Sequence, residues 1–147
     1  MRRTRFGILA AVALMATGCA SMDSGMTAKQ PLYDRLGGKG AIQAVVDDFI
    51  GNVAADARIN KRFANADIPR LKTKLVEQIC EASGGPCKYK GKNMQAAHMG
   101  MGVGGADFDA LVEDLAGALD TFKVGAHEKD QLLGALGPMK TDIVEKK

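Results

Sequence analysis

Residues 84–98 read Gly84-Gly85-Pro86-Cys87-Lys88-Tyr89-Lys90-Gly91-Lys92-Asn93-Met94-Gln95-Ala96-Ala97-His98, and they interrupt an otherwise helical pattern. A double glycine and a proline end a helix and do not continue it. A loop rich in lysine and glycine follows, and a short apolar segment then carries His98, one of two histidines in the chain. A lone histidine is usually a satisfied core or surface residue, but an imidazole on a short apolar turn held by loops also suits a single axial ligand to haem iron. His98 is therefore the candidate iron ligand.

The chain before this stretch has helical periodicity. Over residues 39–53, apolar side chains recur at i, i+3, i+4 and i+7, which predicts an amphipathic helix of about four turns. Asp67, two residues before Pro69, predicts the start of a second helix that the double glycine ends. Short helical pieces are predicted over residues 31–36 and 56–63.

Two more helices are predicted after His98. Asp107 is expected to start a long helix that Gly125 ends, and a last helix over residues 132–144 is expected to bend at Pro138. Strand-like alternation and repeats are absent from the sequence, so the predicted fold class is all-α. The glycine-rich stretch between the helix pairs is longer than a plain bundle needs. A bound prosthetic group is expected to hold it.

The N-terminal residues have the order of a secretory signal. Arg2, Arg3 and Arg5 precede an apolar run over residues 6–15, and small residues then precede Cys19. This ending resembles a bacterial lipobox with Cys19 as the lipidated first residue, and the alternative is an ordinary cleaved signal. The twin arginine lacks most of a twin-arginine export context.

These features divide the chain into three parts. Residues 1–18 are predicted to be a lipoprotein signal peptide, residues 19–30 a flexible tether, and residues 31–147 the folded domain. The protein is accordingly expected to be exported and anchored through Cys19 to a membrane of the bacterial cell envelope, on the periplasmic side.

The charge balance gives no sign of nucleic-acid binding. The chain has 20 basic and 17 acidic residues, and the signal peptide takes three arginines, which leaves 17 of each. A clustered basic stripe with aromatic residues is also missing.

Several motifs match a known family in order and spacing. They are Leu32-Tyr33-Asp34-Arg35-Leu36-Gly37-Gly38, Val46-Asp47-Asp48-Phe49, Phe63, Gly84-Gly85-Pro86, Tyr89-Lys90-Gly91, Met94 and Ala97-His98. Together they resemble a group I truncated haemoglobin, a bacterial-like globin, from about Pro31 to the C-terminus. The resemblance implies a two-over-two helical globin fold, with the B and E helices crossed over the G and H helices. Haem b would lie between these pairs, with its iron bound by His98.

The resemblance also implies the other haem-contacting residues. Phe63 would pack on the haem face beside Phe49, and Lys74 and Tyr89 would contact the propionates. Apolar residues of helix E would face the bound gas. The full expected set is Phe49, Ile50, Phe63, Leu71, Lys74, Leu75, Ile79, Tyr89, Met94 and His98.

Two positions depart from the family pattern. Ile50 stands where family members usually have a tyrosine that hydrogen-bonds the ligand, and Leu75 replaces an assisting glutamine. The pocket above the iron is therefore expected to be apolar, which does not favour oxygen storage or nitric oxide dioxygenation.

Three functions remain open at this point. The first is a haem protein that reversibly binds oxygen, nitric oxide or carbon monoxide. The second is a haem-dependent redox enzyme or electron-transfer protein acting on peroxide or nitrogen oxides, which would need a polar group over the iron. The third is a haem-free helical lipoprotein. Either haem function implies a reductase or electron donor that the sequence does not identify.

The remaining histidine and cysteines have simpler interpretations. His127 is expected to be solvated, and zinc binding by Cys80, Cys87 and His98 lacks a fourth ligand. Met94, Met99 and Met101 flank His98, which is compatible with a Met/His iron, but ordinary packing is the preferred interpretation of these methionines. In an exported protein Cys80 and Cys87 are expected to form a disulfide.

Overall fold

The structure is a computed structural model that describes residues 30–145. Within that range the chain is helical and forms no strand. Its α-helices are α1 (Leu32–Arg35), α2 (Gly38–Ala55), α3 (Ile68–Ala82), α4 (Met94–His98), α5 (Gly105–Thr121), α6 (Ala126–Leu136) and α7 (Lys140–Ile143). Short 3-10 turns span Asn60–Phe63 and Gly137–Met139. The predicted signal peptide and nearly all of the predicted tether lie outside the described residues.

The four long helices form two pairs. Helix α2 packs against α3 in one pair, α5 contacts α6 in the other, and the pairs meet through α2 with α5 and α3 with α6. This is the predicted two-over-two arrangement. Within residues 30–145 no helix is both long and apolar enough to cross a bilayer.

The apolar core consists of two separate clusters. The main cluster is centred on α2, whose residues Ile42, Val45, Val46, Phe49, Ile50 and Val53 are all buried. The second cluster is built on Val103, Phe108 and Ile143, around the start of α5 and the C-terminal helix α7. Helix α4 contacts α7, so the candidate iron ligand lies on the side of the second cluster.

Helix boundaries follow local capping chemistry. Asp67 caps α3 as predicted, because its Oδ1 accepts a hydrogen bond from the Arg70 N–H at 3.1 Å. Helix α5, however, begins at Gly105, two residues before the predicted start at Asp107. Asp107 instead accepts from the Gly104 N–H at 2.7 Å, from inside the first turn.

The end of the chain also differs in detail from the prediction. Helix α5 ends at Thr121, and Gly125 is the N-cap of α6 rather than the end of α5. The predicted bend at Pro138 is confirmed as a 3-10 turn between α6 and α7.

The Gly84-Gly85-Pro86 segment turns the chain sharply at the end of α3. Gly84 has φ +82°, which side-chain-bearing residues rarely adopt. A Cβ on Gly85 would lie 2.4 Å from Tyr33 Cδ2 and 2.8 Å from the Cys80 carbonyl oxygen. The Tyr33 N–H also donates to the Ser83 carbonyl at 2.8 Å. Two motifs distant in sequence therefore pack against each other.

Candidate haem site

Helix α4 presents His98 in a defined orientation. Asn93 caps this five-residue helix by accepting from the Ala96 N–H at 2.8 Å. The His98 Nδ1 lies 2.7 Å from the Met94 carbonyl oxygen. A carbonyl can only accept, so Nδ1 carries a proton, and in the neutral imidazole the lone pair is then on Nε2. The imidazole is thus held in the tautomer that binds a metal through Nε2.

The predicted pocket residues are divided between the two apolar clusters. Phe49, Ile50 and Ile79 are buried in the main cluster, at 3%, 8% and 3% exposure. Three further predicted residues, Phe63, Leu71 and Leu75, are half-buried and pack against that cluster. Met94 packs against the second cluster instead.

Ile79 lies deeper than the other two predicted residues of its helix. It lines a small apolar cavity between α2, α5 and α6, together with Ile42, Leu119 and Leu132. Leu71 and Leu75 are only half-buried. The three apolar residues predicted on one face of α3, Leu71, Leu75 and Ile79, are therefore buried to different depths.

Gln78 is a polar residue on the same side of α3 that the sequence interpretation missed. With Leu71 and Leu75 it is spaced i, i+4, i+7, which places all three on one helix face. Its Nε2 donates to Met94 Sδ at 3.3 Å and to Met139 Sδ at 3.1 Å. Gln78 therefore joins α3 to the element that carries His98.

Lys74 and Tyr89 have partners within the chain. Lys74 Nζ lies 2.7 Å from Glu77 Oε2, and the Tyr89 hydroxyl donates to the Lys92 carbonyl at 2.9 Å. These two hydrogen bonds do not join Lys74 to Tyr89, the two residues predicted to contact the propionates. Their contact with haem stays a prediction.

The segment over residues 86–93, which we call the strap, is held against α3 and leads to α4. The sulfur atoms of Cys80 and Cys87 are 2.02 Å apart. Glu81 accepts from the Tyr89 N–H at 2.9 Å, and Glu77 accepts from the Lys90 N–H at 3.2 Å. These contacts fix the chain just before the helix that carries His98.

The two carboxylates of α3 that hold the strap, Glu77 and Glu81, are stabilised in the charged form. The side chain of Lys74 and then the backbone of Lys90 lower the pKa of Glu77 below its ordinary 4.5. The Tyr89 N–H and then the Lys88 ammonium lower the pKa of Glu81 in the same way. Sequence reasoning missed these carboxylates because their partners lie across a loop.

The loop after His98 is also fixed from two sides. Arg62, next to Phe63, donates to the carbonyls of Met101 at 2.9 Å and Gly102 at 3.2 Å. Glu145 accepts from the N–H groups of Gly100 at 2.5 Å and Gly102 at 2.6 Å. Both ends of α4 are therefore anchored, which pre-organises the imidazole.

The single imidazole of His98 fits a haem better than a metal ion held by protein ligands alone. In the part of the chain that the structure describes, no group of three or more His, Cys, Asp or Glu side chains is placed to hold a metal ion. A haem needs only one protein ligand, because the porphyrin supplies four nitrogens. The fixed Nε2 of His98 and the apolar residues of the two clusters meet that need.

Comparison with known proteins decides the family. A family model described as "Bacterial-like globin" matches residues 31–145. The chain belongs to the bacterial-like globin family. This globin is 36% identical to the group 1 truncated haemoglobin of Mycolicibacterium paratuberculosis, with 76% of this chain and 82% of that protein aligned. It is 35% identical to the group 1 truncated haemoglobin of Tetrahymena pyriformis, over 74% and 99% of the two chains.

Solved structures of truncated haemoglobins share its fold. The Fe(III) form of the Tetrahymena pyriformis protein superposes with a TM-score of 0.77 at 33% identity, covering 80% of this globin and 100% of that chain. A cyanomet 2/2 haemoglobin of Synechococcus with covalently attached haem superposes with a TM-score of 0.75 at 30% identity, with the same coverage. The predicted all-α, two-over-two fold is confirmed, and the protein is a haem-binding globin.

Proposed function

We propose that this globin binds haem b with His98 as the protein ligand to iron, and that small diatomic gases bind reversibly in an apolar pocket on the opposite face. The observation that carries the proposal is the hydrogen bond from His98 Nδ1 to the Met94 carbonyl. When bound, ferrous haem supplies an iron that takes oxygen, nitric oxide or carbon monoxide as a sixth ligand.

The chain's own residues orient the imidazole and exclude water. The Met94 carbonyl fixes the His98 ring plane and tautomer, and polarises the ring so that Nε2 becomes a stronger donor. Of the residues proposed to line the gas pocket, Phe49 and Ile50 are buried, and Leu71 and Leu75 are half-buried against the main cluster. None of these four side chains can donate a hydrogen bond to a ligand.

The assignment of His98 is tested by replacing each histidine in turn. We expect His98→Ala to lose the five-coordinate ferrous spectrum or to lose haem altogether. His127→Ala should leave both unchanged, because His127 is exposed at the start of α6. Visible spectra of the ferric, ferrous and carbon monoxide forms, with haem titration, measure the outcome. Unchanged spectra and haem affinity in His98→Ala would sink the assignment.

The cellular setting is part of the same proposal. We infer that residues 1–18 direct export and that lipid on Cys19 anchors the domain in the cell envelope, on the order of residues described above. In such a compartment thiols pair, and the contact between Cys80 and Cys87 supports a disulfide there. A globin outside the cytoplasm also needs an electron donor to return ferric iron to the gas-binding ferrous state.

A further inference from the structure

The exposed surface around α4 combines apolar and basic residues. Met99, directly after His98, is 75% exposed, and Met101 is 45% exposed. They are two of the three large hydrophobic side chains that are exposed within residues 30–145. Gln95, Ala96 and Ala97 are exposed as well. The residues that flank His98 in the sequence therefore form a small exposed patch that is mainly apolar.

Lysines border this patch on one side. From Ala82 to Ala106 the sequence contains three lysines, Lys88, Lys90 and Lys92, and no Asp or Glu. All three lysines are exposed. The predicted mature chain is neutral overall, so its remaining residues carry a formal charge of −3 (14 basic and 17 acidic) while this segment concentrates positive charge.

The carboxylates that touch this segment do not neutralise all three lysines. Glu81 pairs with Lys88 at 3.3 Å, and Glu77 pairs with Lys74 at 2.7 Å while accepting from the Lys90 backbone. Glu145 is occupied by the backbone N–H groups of the loop after His98. Lys90 and Lys92 are exposed and form no ion pair with a side chain in the described part of the chain, although the charge of Lys90 also acts on Glu77 and helps to lower its pKa.

We propose that the exposed surface of residues 88–101 is the docking site of a small acidic electron-carrier protein that reduces this globin. The proposal rests on the proposed function, because it requires an iron on His98. One electron passes from the reduced centre of the carrier to the ferric iron. The carrier is oxidised by one electron, and no atom or proton is transferred.

The properties of the surface fit a transient redox encounter. Such interfaces are small, usually below about 1,200 Å², with an apolar centre and a charged rim. Methionine adapts its shape to different partners. Lysines on the rim attract an acidic partner over a distance and raise the association rate by about 10- to 1,000-fold at low salt. The docking site also covers the helix that binds iron, which keeps the electron path short.

The test uses the haem-loaded mature protein and a reduced acidic [2Fe–2S] ferredoxin as the probe. The variant Lys90→Glu with Lys92→Glu reverses two charges and leaves the Lys88–Glu81 pair intact. We expect its second-order reduction rate in stopped flow to fall at least about tenfold at low salt and the salt dependence to weaken. Amide shifts of residues 88–101 on titration with oxidised ferredoxin should be lost as well.

The matched control is Lys39→Glu with Lys123→Glu, which reverses two exposed lysines outside the segment and should change the rate less than twofold. An equal fall in both variants would show only a general charge effect and overturn the proposal. The proposal would also be overturned if ferredoxin reduced the Lys90→Glu, Lys92→Glu variant at an unchanged rate while that variant no longer bound vesicles of 70% phosphatidylcholine and 30% phosphatidylglycerol. That result would mean that the two lysines face a membrane. Dithionite reduction followed by carbon monoxide tests the haem function separately.

Discussion

Ile50 is expected to decide how the proposed gas pocket discriminates between oxygen and carbon monoxide. It is buried beside Phe49 on α2, and it brings no hydrogen-bond donor to the side of the haem where a gas would bind. A donor there would favour oxygen, a better hydrogen-bond acceptor in such a pocket than carbon monoxide. The sequence departure at this one residue therefore predicts loose oxygen binding.

Restoring a hydroxyl should slow oxygen release. A hydrogen bond contributes about 1 kcal/mol, and more to a charged acceptor, so one or two bonds correspond to about a 10- to 100-fold change in rate. We expect Ile50→Tyr to release oxygen slower by about that factor than Ile50→Phe, which has the same ring without the hydroxyl. Carbon monoxide release should differ little between the two. Flash photolysis and stopped flow measure both rates, and equal oxygen rates would contradict the prediction.

The lysines of α3 are the alternative donors. Lys72 pairs with Asp47 at 2.8 Å and Lys74 with Glu77 at 2.7 Å, so both ammonium groups are engaged on the helix surface. Slow oxygen release in the native protein that disappears on replacing either lysine would show that one of them leaves its partner and reaches the ligand.

Single residues also show what the sequence conceals. His98, Phe49 and Phe63 were identified from motif order. Gln78 was not, because a polar residue in an apolar stripe looks like solvent-facing helix surface. Its contacts with Met94 and Met139 become visible only when distant segments are brought together.

At the scale of elements, the strap connects α3 to α4, the helix that carries His98. Two carboxylates and a cysteine of α3 hold it, at sequence separations from 7 to 13 residues. Periodicity predicts α2 and α3 well, since their apolar faces pack on a core. The strap has no periodicity, so its path depends on side-chain partners that local pattern cannot identify.

The proposed Cys80–Cys87 disulfide should stabilise the fold by restricting the unfolded chain. Closing a loop of about eight residues restricts the unfolded state by about 2–3 kcal/mol on the entropic model. We expect Cys80→Ser with Cys87→Ser to lower the free energy of unfolding by about that amount in urea titrations. Thiol counting on denatured, unreduced protein should find neither cysteine free, and two free thiols would refute the bond. Cys19 is outside this count if it carries lipid.

The α3 carboxylates that hold the strap, Glu77 and Glu81, should make the free energy of unfolding depend on pH. The folded pKa of Glu81 lies below its ordinary 4.5. Its contribution is therefore present above pH 4.5 and is lost as the pH falls through the folded pKa. We expect Glu81→Gln to lower Tm at pH 7 and to match the native protein at the acid end of the range.

Thermal unfolding between about pH 7 and pH 3 measures this difference. The control is Asp130→Asn, an exposed carboxylate of α6, which should shift Tm little at any pH. A Tm difference between Glu81→Gln and the native protein that stays constant across the range would argue against an ionic role for Glu81.

At the scale of the whole molecule, a near-neutral domain carries one basic surface. The 17 basic and 17 acidic residues predicted for the mature chain balance overall, yet the segment around α4 contains lysines without acids. Composition alone therefore indicated no partner. The unbalanced lysines lie in the strap, which leads into α4 and its proposed iron ligand.

The proposed lipid anchor would decide which partners the domain can meet, and it depends on Cys19. A basic start, an apolar run too short to span a bilayer and small residues before a cysteine together predict lipidation. We expect the protein to take up a clickable fatty acid in growing bacteria and to sediment with membranes. Cys19→Ala should lose the label and keep the haem spectrum, because the predicted tether separates residue 19 from the globin domain.

The matched control, Cys80→Ser with Cys87→Ser, should label like the native protein. Equal labelling of Cys19→Ala would place the lipid elsewhere, and an unlabelled native protein would leave an ordinary cleaved signal as the correct interpretation.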